Sequence, residues 1–146
     1  MSQLRIEQPQ DDAALEHWQH VHNEIVPTAV LSLEDVRERA GRNHLEVAYL
    51  GEVVVGCTTV RPPEGEQDVV TVIARVLPGY RGRGFGAELY ARGLGRAREM
   101  GGGAVETVVL ASNEGGLRFA ERHGFVEVER YVLPGDTIPF VTLRLP

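Results

Sequence analysis

The chain has 146 residues, 42% of them apolar, which predicts one globular domain over residues 1–146. The 21 acidic residues outnumber the 15 basic ones and give a net charge of −6, so we expect no nucleic-acid partner, because phosphate binding needs a basic surface. Every basic residue is arginine, which excludes a P-loop lysine and a lysine nucleophile. The single cysteine, Cys57, excludes an internal disulfide and is expected in the core.

No apolar run approaches the roughly 20 residues that a membrane-spanning helix needs. The first residues also lack the apolar block of a signal peptide. We therefore expect a cytoplasmic protein with no membrane partner.

The predicted elements alternate between strands and helices. In chain order they are a strand at 4–7, helices at 11–23 and 32–40, strands at 45–50, 52–60 and 69–76, a helix at 84–100, a strand at 105–110, a helix at 113–123, and strands at 126–133 and 140–145. Gly41 is expected to end the second helix, and residues 61–68 are expected to form a loop. The early hairpin requires antiparallel pairing, whereas the two later strand–helix–strand units predict parallel pairing. The fold class is therefore α/β, with a mixed central sheet and helices on both faces.

A glycine-rich turn between a strand and a helix is the most informative stretch, and it reads Pro78-Gly79-Tyr80-Arg81-Gly82-Arg83-Gly84-Phe85-Gly86. Alternating glycines let a ligand approach the main chain, and the amides at a helix start bind anions. The turn is thus predicted to hold a pyrophosphate, with Arg81 and Arg83 adding positive charge. A plain tight turn with solvated arginines and a Rossmann site are the alternatives. The spacing GxGxG differs from the GxGxxG of a Rossmann site.

The segment Arg81–Gly86 resembles the signature of the GNAT family of N-acetyltransferases, in which Arg or Gln is followed after two residues by Gly-x-Gly or Gly-x-Ala. A second stretch, from Asn113 to the pair Gly124-Phe125, is similar to that family's Asn-containing helix. The resemblance covers nearly the whole chain. It implies the GNAT fold, an acetyl-CoA or other acyl-CoA co-substrate and an amine acceptor. No metal is expected, because no residues with the spacing of metal ligands stand out. Relatives commonly form dimers, so the resemblance also leaves a homodimer open.

The resemblance further implies which residues bind the co-substrate. The strand before the turn would line the pantetheine arm, backbone amides of the turn would hold the diphosphate, and an asparagine would bond the pantetheine. On this basis the cofactor-binding residues are Ala74, Arg75, Val76, Arg81, Gly82, Arg83, Gly84, Phe85, Gly86, Ala87 and Asn113.

The catalytic group is not identified by the resemblance. The tyrosine that often protonates the leaving thiolate in this family is replaced by Ala120, and neither 69–72 nor 107–110 carries a glutamate base. Tyr131 is a candidate acid, and Glu24 or His22 could face the acceptor. His17, His20 and His22 lack the carboxylate spacing of a zinc site.

We therefore expect an acyl-CoA-dependent N-acyltransferase. An amine, from a small molecule or a protein N-terminus, would attack the thioester directly within a ternary complex. The acidic composition mildly favours a cationic amine. A non-catalytic acyl-CoA sensor or interaction domain is the alternative, suggested by the missing tyrosine.

Overall fold

The structure, a computed structural model, describes residues 3–146, so Met1 and Ser2 of the predicted domain lie outside the described residues. Its strands are β1 (Leu4–Glu7), β2 (His44–Leu50), β3 (Val53–Glu64), β4 (Val69–Val76), β5 (Ala104–Leu110), β6 (Val126–Tyr131) and β7 (Phe140–Leu145). Its helices are α1 (Asp12–Ile25), α2 (Leu33–Arg42), α3 (Phe85–Glu99) and α4 (Glu114–Arg122), with a 3-10 turn at Pro78–Tyr80. The predicted order of strands and helices is confirmed.

The seven strands form one mixed sheet in the order β1-β2-β3-β4-β5-β7-β6. Only β4 and β5 pair in parallel, and every other neighbouring pair is antiparallel. The parallel pairing predicted for the first crossover, through α3, is thus confirmed. The pairing predicted for the second crossover is wrong, because β7 lies between β5 and β6.

Helices cover both faces of the sheet, as predicted. On one face, Trp18 and Val21 of α1 and Val36 of α2 pack with Val47 and Cys57 of the sheet. On the other face, the α3 side chains of Phe85, Leu89 and Tyr90 pack into clusters with buried valines of β3 and β4. Among the described helices, none is both long and apolar enough to cross a bilayer.

Local differences from the predicted boundaries have physical causes. Gly41 lies inside α2, which runs to Arg42, because the helix continues until Asn43 takes an extended backbone conformation. The expected loop at 61–68 is strand as far as Glu64. Pro62 and Pro63 have no N–H to donate, and the register accordingly shifts between Arg61 and Glu64.

Two glycines on α3 give a matched test of this packing. A Cβ on Gly93 would collide with the Val72 side chain, which is fully buried, whereas a Cβ on Gly95 would meet nothing within 4 Å. We expect Gly93→Ala to destabilise the protein by about 1–3 kcal/mol through overpacking. Gly95→Ala should instead add up to about 1 kcal/mol, because alanine favours the helix.

Urea unfolding of both variants measures this difference. Equal unfolding midpoints for Gly93→Ala and Gly95→Ala would contradict the close packing of α3 on β4.

Candidate active site

A cleft of about 500 Å³ lies where β4 and β5 separate. The two strands pair over three residues only, from Val69 opposite Ala104 to Thr71 opposite Glu106. Beyond that point residues 73–76 and 107–110 line opposite walls of the cleft. Each strand keeps a partner on its outer side, so the main-chain groups of the inner edges face the cleft.

The glycine-rich turn forms one mouth of this cleft. Gly82 and Gly84 have φ values of 81° and 82°, in the left-handed region that glycine adopts without strain. Gly84 is the N-cap of α3, and the first amide to bond back into the helix is that of Glu88, which donates to the Gly84 carbonyl at 3.1 Å. The amides of residues 85–87 therefore have no intrahelical acceptor, and they carry the positive end of the helix dipole.

Arg81 spans this mouth. Its Nε donates to the Val76 carbonyl at 3.0 Å, and its Nη1 lies 3.5 Å from where a Cβ on Gly115 would sit. The guanidinium thus bridges the end of β4 and the start of α4. Arg83 points elsewhere: its guanidinium lies 5.7 Å from the centre of the Tyr80 ring, and it does not line the cleft.

The first turn of α4 forms the opposite wall. The Asn113 side-chain oxygen accepts a hydrogen bond from the Gly116 amide at 3.0 Å, which caps the helix. A Cβ on Gly116 would lie 2.6 Å from Asn113 Nδ2, so glycine is required for this cap. The cap occupies the side-chain oxygen and leaves the amide NH₂ of Asn113 for a ligand.

Ten of the eleven predicted cofactor-binding residues line the cleft, and Arg83 is the exception. The lining members are Ala74, Arg75, Val76, Arg81, Gly82, Gly84, Phe85, Gly86, Ala87 and Asn113. The structure brings them together from β4, the turn, α3 and the cap of α4. Their role in binding the co-substrate stays a prediction.

Further lining residues were not predicted, and helical spacing could have indicated them. Tyr90 follows Gly86 by four residues on α3, and Arg118 and Arg122 are four apart on α4, so each pair shares a helix face. The Tyr90 ring contacts those of Phe119 and Phe125, at centroid distances of 5.4 and 5.2 Å. Burial raises the pKa of the Tyr90 phenol, which keeps it protonated.

The two catalytic candidates, Tyr131 and Glu24, do not line the cleft. Tyr131 is 38% exposed on the edge strand β6 and stacks on Phe140 at 5.6 Å. Glu24 is exposed near the end of α1. Neither residue could be located relative to the cleft from sequence, because their positions depend on how α1 and the last hairpin pack.

His22 is buried against Trp18, and it lies on the α1 face of the sheet near Arg75. Burial, helped by the nearby positive charge of Arg75, lowers its pKa to about 4, so the ring is neutral at pH 7. Within residues 3–146, no three His, Cys, Asp or Glu side chains come together as a metal site would require.

Comparison with known proteins decides the family. The sequence model of the Acetyltransferase (GNAT) family matches residues 6–125. The chain belongs to this family. The resemblance based on Arg81–Gly86 and the Asn113 helix is thereby confirmed. No curated protein sequence matches the chain significantly.

Solved structures with similar folds agree with a GNAT fold over the whole chain. YncA of Salmonella typhimurium, solved with its cofactor acetyl-CoA, aligns with a TM-score of 0.76 at 17% identity, covering 99% of this chain and 94% of that one. The ribosomal-protein-alanine N-acetyltransferase of Brucella melitensis aligns with a TM-score of 0.72 at 21% identity, covering 96% and 98%. An N-acetyltransferase of Staphylococcus aureus Mu50 aligns with a TM-score of 0.76 at 14% identity, covering 99% of this chain and 98% of that one.

The left-handed conformation of Gly84 supplies a test of the turn. In Gly84→Ala the side chain has space, but holding alanine at φ 82° costs about 1–2 kcal/mol. We expect the turn to change its backbone conformation and coenzyme A to bind about five- to thirtyfold more weakly by calorimetry.

Gly65→Ala is the matched control, because Gly65 has a φ of 77° and equally open surroundings in the β3–β4 turn, away from the cleft. It should lower stability without changing affinity. Unchanged coenzyme A affinity in Gly84→Ala would contradict the role given to the turn.

His22 predicts a dependence of stability on pH. Its pKa falls from 6.5 in the unfolded chain to about 4 in the folded protein, so between these values the unfolded state binds the additional proton. Stability should therefore be lost as the pH falls through this window, by roughly 2–3 kcal/mol. His22→Gln should lose this contribution, whereas His20→Gln, at an exposed position on the same helix, should keep it.

Urea unfolding of the three proteins across this pH range measures the effect. Parallel stability curves for the wild type and His22→Gln would contradict the buried, neutral state of His22.

Proposed function

We propose that this GNAT protein is an acyl-CoA-dependent N-acyltransferase that transfers an acetyl group from acetyl-CoA to an amine. The observation that carries the proposal is the cleft between β4 and β5, whose lining comes from both faces of the sheet. Ile25 and Val26 line it from the α1 side, whereas Gly86 and Tyr90 line it from the α3 side. Two reactants can therefore meet in the gap from opposite faces.

The co-substrate would bind at the mouth formed by the turn. The free amides of residues 85–87, with Arg81 beside them, suit the diphosphate of coenzyme A. Arg118 and Arg122 on α4 add positive charge to the same lining. The inner edges of β4 and β5 and the NH₂ of Asn113 offer hydrogen bonds to an extended arm that carries amide groups, such as pantetheine.

The reaction would be a direct attack. The amine nitrogen forms a bond to the acetyl carbonyl carbon, and the bond from that carbon to sulfur breaks. The departing thiolate gains a proton and the amine loses one, so atoms and charge balance. Holding the amine against the activated thioester supplies much of the acceleration.

Within residues 3–146, the cleft offers no carboxylate to take the proton from the amine or to give one to the thiolate. The described residues that line the cleft include neither Asp nor Glu, so the amine proton would pass to water or to His123, which lines the cleft. Ala120, in the lining, cannot donate a proton. Tyr90 also lines the cleft as a neutral phenol, so it can donate a hydrogen bond to the thiolate, but its raised pKa disfavours full transfer of its proton.

A non-catalytic acyl-CoA sensor is the second candidate, and Ala120 is the observation that favours it. A sensor would bind the same thioester through the same turn but would release no thiol. Turnover with an amine separates the two functions.

We expect thiol release from acetyl-CoA to depend on added primary amine, and no acetyl group to remain on the protein by intact mass. Cys57 is fully buried and its pKa is raised to about 12, so it is not a nucleophile for an acyl-enzyme. An acetyl adduct that is consumed when amine is added would contradict direct attack. Coenzyme binding without release for any amine of a broad panel would favour the sensor.

A further inference from the structure

Three arginines gather on the face of the sheet that α1 and α2 cover. Arg75 on β4 is opposite Cys57 on β3 in the strand register. Its neighbours Ala74 and Val76 pack on the α3 side, so strand alternation places Arg75 on the other face. Arg61 lies on that face of β3, and Arg39 comes from the last turn of α2. All three side chains are half-buried.

None of these three arginines forms an ion pair with a carboxylate in residues 3–146. Other arginines of the protein are paired, such as Arg92 with Glu46 at 2.6 Å and Arg37 with Asp12 at 2.8 Å. What distinguishes Arg39, Arg61 and Arg75 from the exposed unpaired arginines is that they are half-buried and close enough to repel one another.

The two carboxylates that act on Arg39 already have other partners. Asp35 and Glu38 act on the charge of Arg39, but Asp35 accepts from Ser32 in a capping box and Glu38 pairs with Arg42 at 3.4 Å. Burial lowers the pKa of Arg75, and the charges of Arg39 and Arg61 lower it further. A cluster of desolvated, mutually repelling guanidinium groups is costly unless an anion offsets it.

The cluster lies beside the acceptor side of the cleft. Arg75 itself lines the cleft, next to Ile73 and the end of α1. Arg39 and Arg61 line a second groove of about 490 Å³ between α2 and β3. Arg42 and the exposed Glu64 also line it. Because Arg75 lines the cleft, an anion that it binds would lie at the cleft wall.

Coenzyme A is a poor candidate for this anion. The groups proposed to bind its phosphates are the turn at residues 82–87 and the arginines of α4, and they lie on the α3 side of the sheet. Arg75 lies on the opposite face, and the cleft separates the two groups of positive charge.

We propose that the acceptor is a small primary amine that also carries an oxyanion, a carboxylate or a phosphonate, which Arg75 binds with Arg39 and Arg61. This inference rests on the proposed function. The guanidinium group pairs with such oxyanions through two parallel hydrogen bonds. The local charge thus selects an anionic acceptor although the whole chain is acidic.

The test compares acceptors that carry an anion with acceptors that lack one. The panel consists of free amino acids, the corresponding α-amides, aminoalkylphosphonates, and peptide amides that begin with Asp or Glu. Thiol release from saturating acetyl-CoA gives kcat/KM for each. We expect the acids to exceed their amides by about ten- to hundredfold, as for hydrogen bonds to charged groups. The phosphonate arm tells which oxyanion is preferred.

Arg61→Gln and Arg39→Gln should each reduce the preference for the acid, chiefly through KM for the acceptor, and leave coenzyme A affinity unchanged. Arg61 and Arg39 lie nearer the edge of the cluster than Arg75, so their Gln variants should fold even where Arg75→Gln does not. Arg98→Gln is the charge-matched control, because Arg98 is exposed on α3. It should keep the wild-type preference.

Equal kcat/KM for acids and amides overturns the inference and leaves the proposed function standing. Faster reaction of the acidic peptide amides than of free amino acids overturns the small acceptor in favour of a protein N-terminus. Coenzyme A binding without thiol release from any member overturns both the inference and the proposed function.

Discussion

The separation of β4 from β5 after three paired residues is the constraint on which the rest of the structure depends. β4 stays paired with β3 and β5 with β7, so the two inner edges can part without either strand losing its outer partner. Main-chain groups along those edges need hydrogen-bond partners, which a bound extended chain or water can supply. A gap of this kind also connects the two faces of a sheet that would otherwise keep two reactants apart.

The two sides of the gap offer different chemistry. On the α3 side, the left-handed Gly82 and Gly84 leave amides free at a helix start, which suits a diphosphate. On the α1 side, Arg75 and its neighbouring arginines are held without carboxylate partners in the described part of the chain. A neutral His22 beside Arg75 adds no further positive charge. These differences are the basis for proposing a coenzyme on one side and an anionic acceptor on the other.

Much of the fold could be predicted from sequence patterns, because these patterns depend on local structure. Glycine spacing and the strand before it identified the turn, and Ser32 with Asp35 identified the start of α2 through its capping box. The insertion of β7 between β5 and β6 could not be predicted, since it depends on pairing between distant residues. The same limit applies to the site. The family resemblance implied that Arg75 lines the pantetheine arm, but its lack of a carboxylate partner within residues 3–146 follows only from how α1, α2 and β3 pack around it.

The most direct test of the central claim is a titration of the ¹⁵N-labelled protein with coenzyme A, followed through its amide resonances. The account predicts saturable shifts concentrated at residues 82–87 and along residues 73–76 and 107–110, with the edge strand β6 unaffected. Shifts that leave these segments unchanged while coenzyme A binds elsewhere would contradict it.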